Sequence, residues 1–223
     1  MSASVSSAVV ELLRVNPQST MERYRFVVEP EVYTIGKTGG PCTVTCTQLN
    51  DNIYRLGVTA TSGGDWYYPY ITFGDSVGIC DVPVGQPDGT IVLTGGMNGC
   101  STVVTRRENN MFRFHHDKNS CSIAKLPAES MKGDIVCRIG FADYAGEPTG
   151  AYQLQLTTQL SHPRKFVTLY EHYIIAVKHE GKWLMMNSAV LRSQGMDPQN
   201  SKTIFMGYDP PDASQLITSF DDI

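Results

Sequence analysis

Cys100 follows Gly95, Gly96 and Gly99, and two adjacent histidines, His115 and His116, follow it. Thiol and imidazole together make a thiolate nucleophile, one group to attack and one to hold the proton. The glycines let the backbone before Cys100 turn sharply and approach a bound group closely. Beyond the thiol, Val103-Val104, the polar run Arg107-Glu-Asn-Asn110 and Met111-Phe-Arg-Phe114 read as a β-hairpin that carries imidazole back toward cysteine.

Side-chain parity decides which histidine returns on the thiol's side. A hairpin loop of two or four residues sets His115 opposite Thr102 or Val104, on the face of Cys100, whereas a loop of three residues sets His116 there. The hydrophobic pattern accepts either loop. His115 is the expected base under the even loop. The residue opposite it lies roughly 7–13 Å along a straight strand from Cys100, so the glycine turn must bend the thiol back over the hairpin. The plain alternative is a buried structural thiol with two strand-end histidines.

Thr94, Gly99-Cys100, the Ser101-Thr102-hydrophobic strand and a histidine fifteen residues after the cysteine resemble the catalytic domain of the cytotoxic necrotizing factors and the Burkholderia lethal factor. Both are protein-glutamine deamidases. Their Leu-Ser-Gly-Cys motif stands here as Met97-Asn98-Gly99-Cys100, and the resemblance spans Thr94 to His115. It implies Cys100 as nucleophile, His115 as base and Thr94 as the residue orienting the histidine, with no cofactor and no metal. The implied partner is a host protein substrate, either a Rho GTPase or the DEAD-box helicase of translation initiation. The implied setting is secretion by a bacterium and action in the host cytosol as a monomer. Other cysteine hydrolases, a transglutaminase and a non-enzymatic β-sandwich binding module are the competing readings.

The rest of the chain must position these groups. Its 223 residues suffice for one domain with a sizeable core. No apolar run approaches a bilayer-spanning length, and a net charge of −4 gives no general attraction to nucleic acid. Residues 1–20 are expected to hold one short helix from Ser6 or Ser7 to Val15, stopped by Asn16-Pro17.

Short β-branched and aromatic runs then predict strands over 24–28, 31–35, 43–47, 54–59, 68–73, 90–94, 134–141, 152–157 and 166–170. A hairpin over 173–186 should turn at Glu180-Gly181, and helical turns are expected over 127–132 and 212–217. The predicted class is α/β and mostly β: a single domain over 1–223, a central β-sandwich with a few peripheral short helices. Six cysteines without a secretory signal are expected as reduced thiols, Cys46, Cys80 and Cys137 as core residues and Cys42 and Cys46 as poor zinc ligands. His162, His172 and His179 are expected at the surface or at strand edges, and Arg106, Arg107 and Arg113 on a solvated hairpin face.

Overall fold

The computed structural model describes residues 2–31, 35–70, 77–118, 120–126, 128–145, 167–196, 203–209 and 215–222. The chain is mostly β, arranged as two packed sheets with short helices outside them. The larger sheet contains β1 (Arg25–Pro30), β2 (Gly40–Gln48), β3 (Ile53–Ala60), β4 (Asp65–Tyr67), β6 (Ile91–Leu93), β10 (Val167–His179), β11 (Lys182–Met196), β12 (Thr203–Asp209) and β13 (Gln215–Asp221). Its order is β1-β3-β2-β4-β6-β10-β11-β12, with β13 also paired to β11. The smaller sheet is antiparallel, β5 (Val77–Pro83), β8 (Met111–Asp117), β7 (Ser101–Arg107) and β9 (Asp134–Ile139) in that spatial order.

One apolar layer joins the two sheets. Ile174, Ala176, Trp183 and Met185 of the larger sheet meet Val82, Val104, Phe112 and Phe114 of the smaller one, and Cys100 belongs to the same cluster. The other face of the larger sheet is covered by α1 (Ser2–Val15) through Val9 and Leu13 and by α2 (Pro17–Arg23) through Met21. The outer face of the smaller sheet carries Val77 and Val103, which pack against Ile123 of the short 3-10 turn Ile123–Lys125; a second such turn, Ala128–Met131, follows. Alternate residues of one strand therefore serve different layers, as period-two alternation requires. In β10, Ile174 and Ala176 face the smaller sheet while Tyr173 and Ile175 face the helices.

Several elements depart from the sequence expectation. The N-terminal segment holds two helices, because Pro17 does not end helical structure but begins α2, where its missing N–H is no loss. The strand expected over 31–35 is replaced at its end by a one-turn helix, α3 (Ile35–Thr38), whose Gly36 N–H donates to Glu31 C=O. In the run expected as a strand over 68–73, Tyr68, Pro69 and Tyr70 form no strand, Pro69 having no N–H to give a ladder. The helical turn expected over 212–217 gives way to β13, which fills the open edge of β11 from Gln215 onward. The strand expected over 152–157 lies outside the described residues. The turn at Glu180-Gly181 is as expected, with both residues at positive φ (49° and 77°).

Gly78 of β5 lies opposite His116. A Cβ there would overlap the Pro69 carbonyl oxygen, so only glycine lets the Tyr68–Tyr70 segment close over that histidine.

Candidate functional site

The hairpin loop between β7 and β8 is Glu108-Asn109-Asn110, three residues long, with Asn110 at φ 61° and its N–H donated to Arg107 C=O at 3.2 Å. Asparagine tolerates this left-handed conformation, and a turn closed by one such residue is the usual three-residue hairpin. The register is Arg107↔Met111, Val103↔His115 and Thr102↔His116.

This overturns the even-loop parity. His115 shares the face of Val103, away from Cys100, and His116 shares the face of Thr102 and Val104, toward it. His115 is fully buried under the 3-10 turns, with Nδ1 3.0 Å from Val103 C=O and Nε2 3.3 Å from Ser130 C=O. A neutral ring donates to only one of these carbonyls, and burial lowers the His115 pKa. The geometry gives His115 a tethering position and withdraws it as partner of the thiol.

Thr94, at the end of β6, touches the other histidine. Its hydroxyl donates to Tyr68 C=O at 2.9 Å, so at its 2.7 Å contact with His116 Nδ1 it must accept. The tautomer follows: the His116 proton is on Nδ1, and Nε2 carries the lone pair. That Nε2 is buried with no hydrogen-bond partner among the described residues, the Cys100 thiol included. His116 is 1% exposed, and burial takes its pKa down to about 4. Tyr68 and Tyr70 flank the ring at centroid distances of 6.3 and 5.2 Å. Thr94 thus contacts His116, not the His115 that the resemblance implies.

Cys100 sits one residue before β7 and is 3% exposed. Burial holds its thiol above the ordinary range, opposed by a backbone hydrogen bond at Asn98, with smaller contributions from Asp117 upward and Lys118 downward. Thiol and imidazole are both neutral at rest. The peptides on either side of Cys100 are held: Ser120 Oγ donates to Gly99 C=O at 3.0 Å, and Tyr144 Oη donates to Cys100 C=O at 3.0 Å. Gly99 makes the turn at φ 80°.

His172, Asn187 and Tyr144 complete the surroundings. His172 is buried within β10, where its backbone pairs with Met97 (2.7 and 3.2 Å), so the expectation of a surface or edge position does not hold. Asn187 Nδ2 donates to Tyr144 C=O at 2.9 Å, which leaves its Oδ1 to accept from His172 Nδ1 at 3.3 Å. The Tyr144 ring, on α4 (Phe141–Ala145), lies 5.0 Å from that of His172. No local motif marks these residues, since only the β10–β11 register assembles them. The loop length was readable, because Asn109-Asn110 is turn chemistry that suits three residues. His162 lies outside the described residues.

Arg113 grips Asp81 through two 2.6 Å contacts, Arg106 lies 5.9 Å from the Phe112 ring, and Arg107 donates to Glu129 C=O at 3.4 Å. All six cysteines are unpaired; Cys80 and Cys137 lie in the core with Cys42, whereas Cys46, expected there too, is only half-buried near the end of β2. Among the described residues no helix is long and apolar enough to cross a membrane.

The low His116 pKa has a thermodynamic consequence. Its ordinary value is 6.5, so between about 6.5 and about 4 the unfolded chain takes up a proton that the folded chain refuses. Stability is complete above that window and falls through it, by on the order of 3 kcal/mol. Burial of His115 and His172 acts in the same direction. Urea midpoints measured from pH 7 to pH 4 should therefore decline, with a visibly shallower slope in His116→Gln.

A family model described as the Mcf1 activator-binding domain matches residues 76–157. The match takes in all four strands of the smaller sheet, together with Cys100, His116 and Tyr144. No curated protein matches the chain.

Proposed function

We propose that the chain is a cysteine hydrolase of side-chain amides, a protein-glutamine deamidase in which Cys100 is the nucleophile, His116 the base and Thr94 its orienting partner. One observation carries this reading: an imidazole on the thiol's side of the sheet, fixed by Thr94 in the tautomer that leaves Nε2 bare. A base needs that lone pair, and a merely structural histidine would have it satisfied. The Met97–Cys100 turn adds a second support, since its backbone is held from both sides of the thiol.

In the reaction His116 Nε2 takes the Cys100 proton, and the thiolate adds to the glutamine amide carbon. The C=O π electrons move onto oxygen, which backbone N–H groups of the turn stabilise. His116 returns its proton to the amide nitrogen, the C–N bond breaks and ammonia leaves a thioester. Water, deprotonated by His116, then attacks the thioester, and the C–S bond breaks to give glutamate and the free thiol. Because both groups are neutral at rest, the imidazole acts as general base at the moment of attack rather than as half of a standing ion pair.

The substrate is a host protein, of the Rho GTPase or DEAD-box helicase class that the resemblance implies, reached by secretion from a bacterium. Incubation with a eukaryotic lysate should convert one glutamine of one dominant protein to glutamate, read by peptide mass spectrometry against a mock-treated lysate. Cleaved peptide bonds would make the protein a protease instead.

A second reading is a binding module. The matched family is described as activator-binding, and Cys100 is nearly inaccessible at rest. Stable capture of a lysate protein with no chemical change in any peptide would favour it.

A further inference from the structure

Addition of a thiolate to a carbonyl carbon puts negative charge on the carbonyl oxygen, and a site that speeds the step aims donors at that oxygen. Backbone N–H groups of the glycine turn are one supply. A side-chain hydroxyl stands beside them: Tyr144 Oη lies 3.0 Å from Cys100 C=O, one hydrogen bond away from the residue that carries the thiol. Tyr144 and Cys100 belong to the same apolar layer between the sheets, as do Ile174 and Ala176 of β10. Hydroxyl and thiol therefore share one side of the larger sheet.

The phenol is fixed by groups remote from the chemistry. Asn187 Nδ2 donates to Tyr144 C=O at 2.9 Å, and the rings of Phe141 and His172 lie 5.6 and 5.0 Å from the tyrosine ring. Tyr144 is 2% exposed. Burial raises its pKa and the neighbouring Cys100 thiolate adds to the rise, against the pull of backbone hydrogen bonds at Gly99 and Cys100. The hydroxyl thus keeps its proton and remains a donor, next to the N–H groups of the turn.

A phenylalanine would fill the same space, so what the tyrosine adds is one O–H. At rest that donor serves a neutral carbonyl. Once an acyl oxygen beside the turn gains charge, the O–H is held more strongly by it, since a hydrogen bond to an ionised acceptor is roughly twice as strong as one to a neutral acceptor. An interaction that strengthens only as the charge develops lowers the barrier rather than merely tightening binding.

We propose that Tyr144 is a catalytic residue, the side-chain donor to the oxyanion, turning its hydroxyl from Cys100 C=O to the substrate oxygen as the thiol attacks. This rests on the proposed reading of Cys100 as nucleophile and adds to it a group from α4.

The test uses the full chain and two small probes, p-nitrophenyl acetate and chloroacetamide, of which only the first forms an oxyanion. With the ester, His116 takes the thiol proton, sulfur adds to the carbonyl carbon and the C=O π electrons move onto oxygen. They return as the C–O bond breaks, leaving an acetyl thioester and p-nitrophenolate. With chloroacetamide, sulfur displaces chloride in one step and the C–S bond replaces C–Cl. Both adducts on Cys100 are quantified by peptide mapping after acid quenching, at times that precede thioester hydrolysis, and each rate is divided by that of glutathione with the same probe.

On this scale wild type should acylate faster than it alkylates. Tyr144→Phe should slow acylation by about tenfold or more and leave alkylation within about twofold of wild type, the loss being below that for one donor on an amide because an activated ester needs less help. Equal acylation and alkylation in wild type overturns the inference without any variant. Acylation untouched in Tyr144→Phe overturns it and leaves the nucleophile standing. So does a fall in both rates together, which would make the tyrosine a support of the turn alone. If the variant unfolds, seen as a gain in reactivity of the core thiols Cys42 and Cys137, Tyr144→3-fluorotyrosine decides in its place. That stronger donor of nearly the same shape should raise acylation alone, and unchanged acylation overturns the inference. A wild-type Cys100 that reacts no faster than Cys42 and Cys137 with either probe removes the inference together with the reading beneath it.

Discussion

Cys100→Ser should abolish glutamine conversion, with a loss of roughly a thousandfold or more against wild type in the lysate assay. The expectation rests on the protonation states of the site. His116 is a weak base, held neutral with a pKa of about 4. Even the raised thiol of Cys100 surrenders its proton far more readily than a serine hydroxyl. Attack by the serine oxygen would therefore start from a much less favourable proton transfer, and the ester it formed would have to leave through an alkoxide rather than a thiolate. The substitution exchanges one small side chain for another in a position 3% exposed, so the fold should persist, with a change in unfolding midpoint that corresponds to about 1 kcal/mol. Full activity in a stable Cys100→Ser protein would end the nucleophile assignment, and an equal loss of activity and of helical and strand signal would show only that the variant had unfolded.

The histidine pair gives the second large effect, a separation of activity from stability between neighbours. His116→Ala removes the proposed base and should lower kcat by roughly a hundred- to ten-thousandfold. It also deletes a ring from between Tyr68 and Tyr70, so some loss of stability accompanies it. His115→Ala should keep activity within a few-fold while costing about 2–3 kcal/mol, because it empties a fully buried site and frees the Ala128–Met131 turn. Kinetics and urea unfolding on the two alanine variants decide the matter. Activity lost in His115→Ala and retained in His116→Ala would mean that the thiol is served from the opposite face of the sheet, and the site would have to be rebuilt.

Which parts were legible in the sequence follows from range. Cys100, Thr94 and the hairpin could be read because they are neighbours in the chain and glycine, strand and turn chemistry are local signals. The mainly β architecture was legible for the same reason, since short β-branched runs separated by turn residues repeat through the chain. The choice between His115 and His116 hung on a single loop residue. Asn110 in the left-handed conformation supplies it, and the hydrophobic pattern is indifferent to it. His172 and Asn187 were invisible because β10 and β11 reach the site through long-range pairing, Met97 with His172 above all. Strand β13 was misread as helical because its place is decided by the vacant edge of β11 rather than by its own residues.

The bond between Thr94 and His116 spans two layers. Thr94 leaves the larger sheet through β6, while His116 belongs to the smaller one. Their 2.7 Å separation is thus a gauge of how the layers are stacked: sliding one sheet over the other would lengthen this contact past hydrogen-bonding reach and free the imidazole to turn. A protein that gripped only the smaller sheet would hold a lever on the chemistry without approaching the thiol. Loosening Trp183 or Phe220 in the shared core would dull the base while the fold still stood.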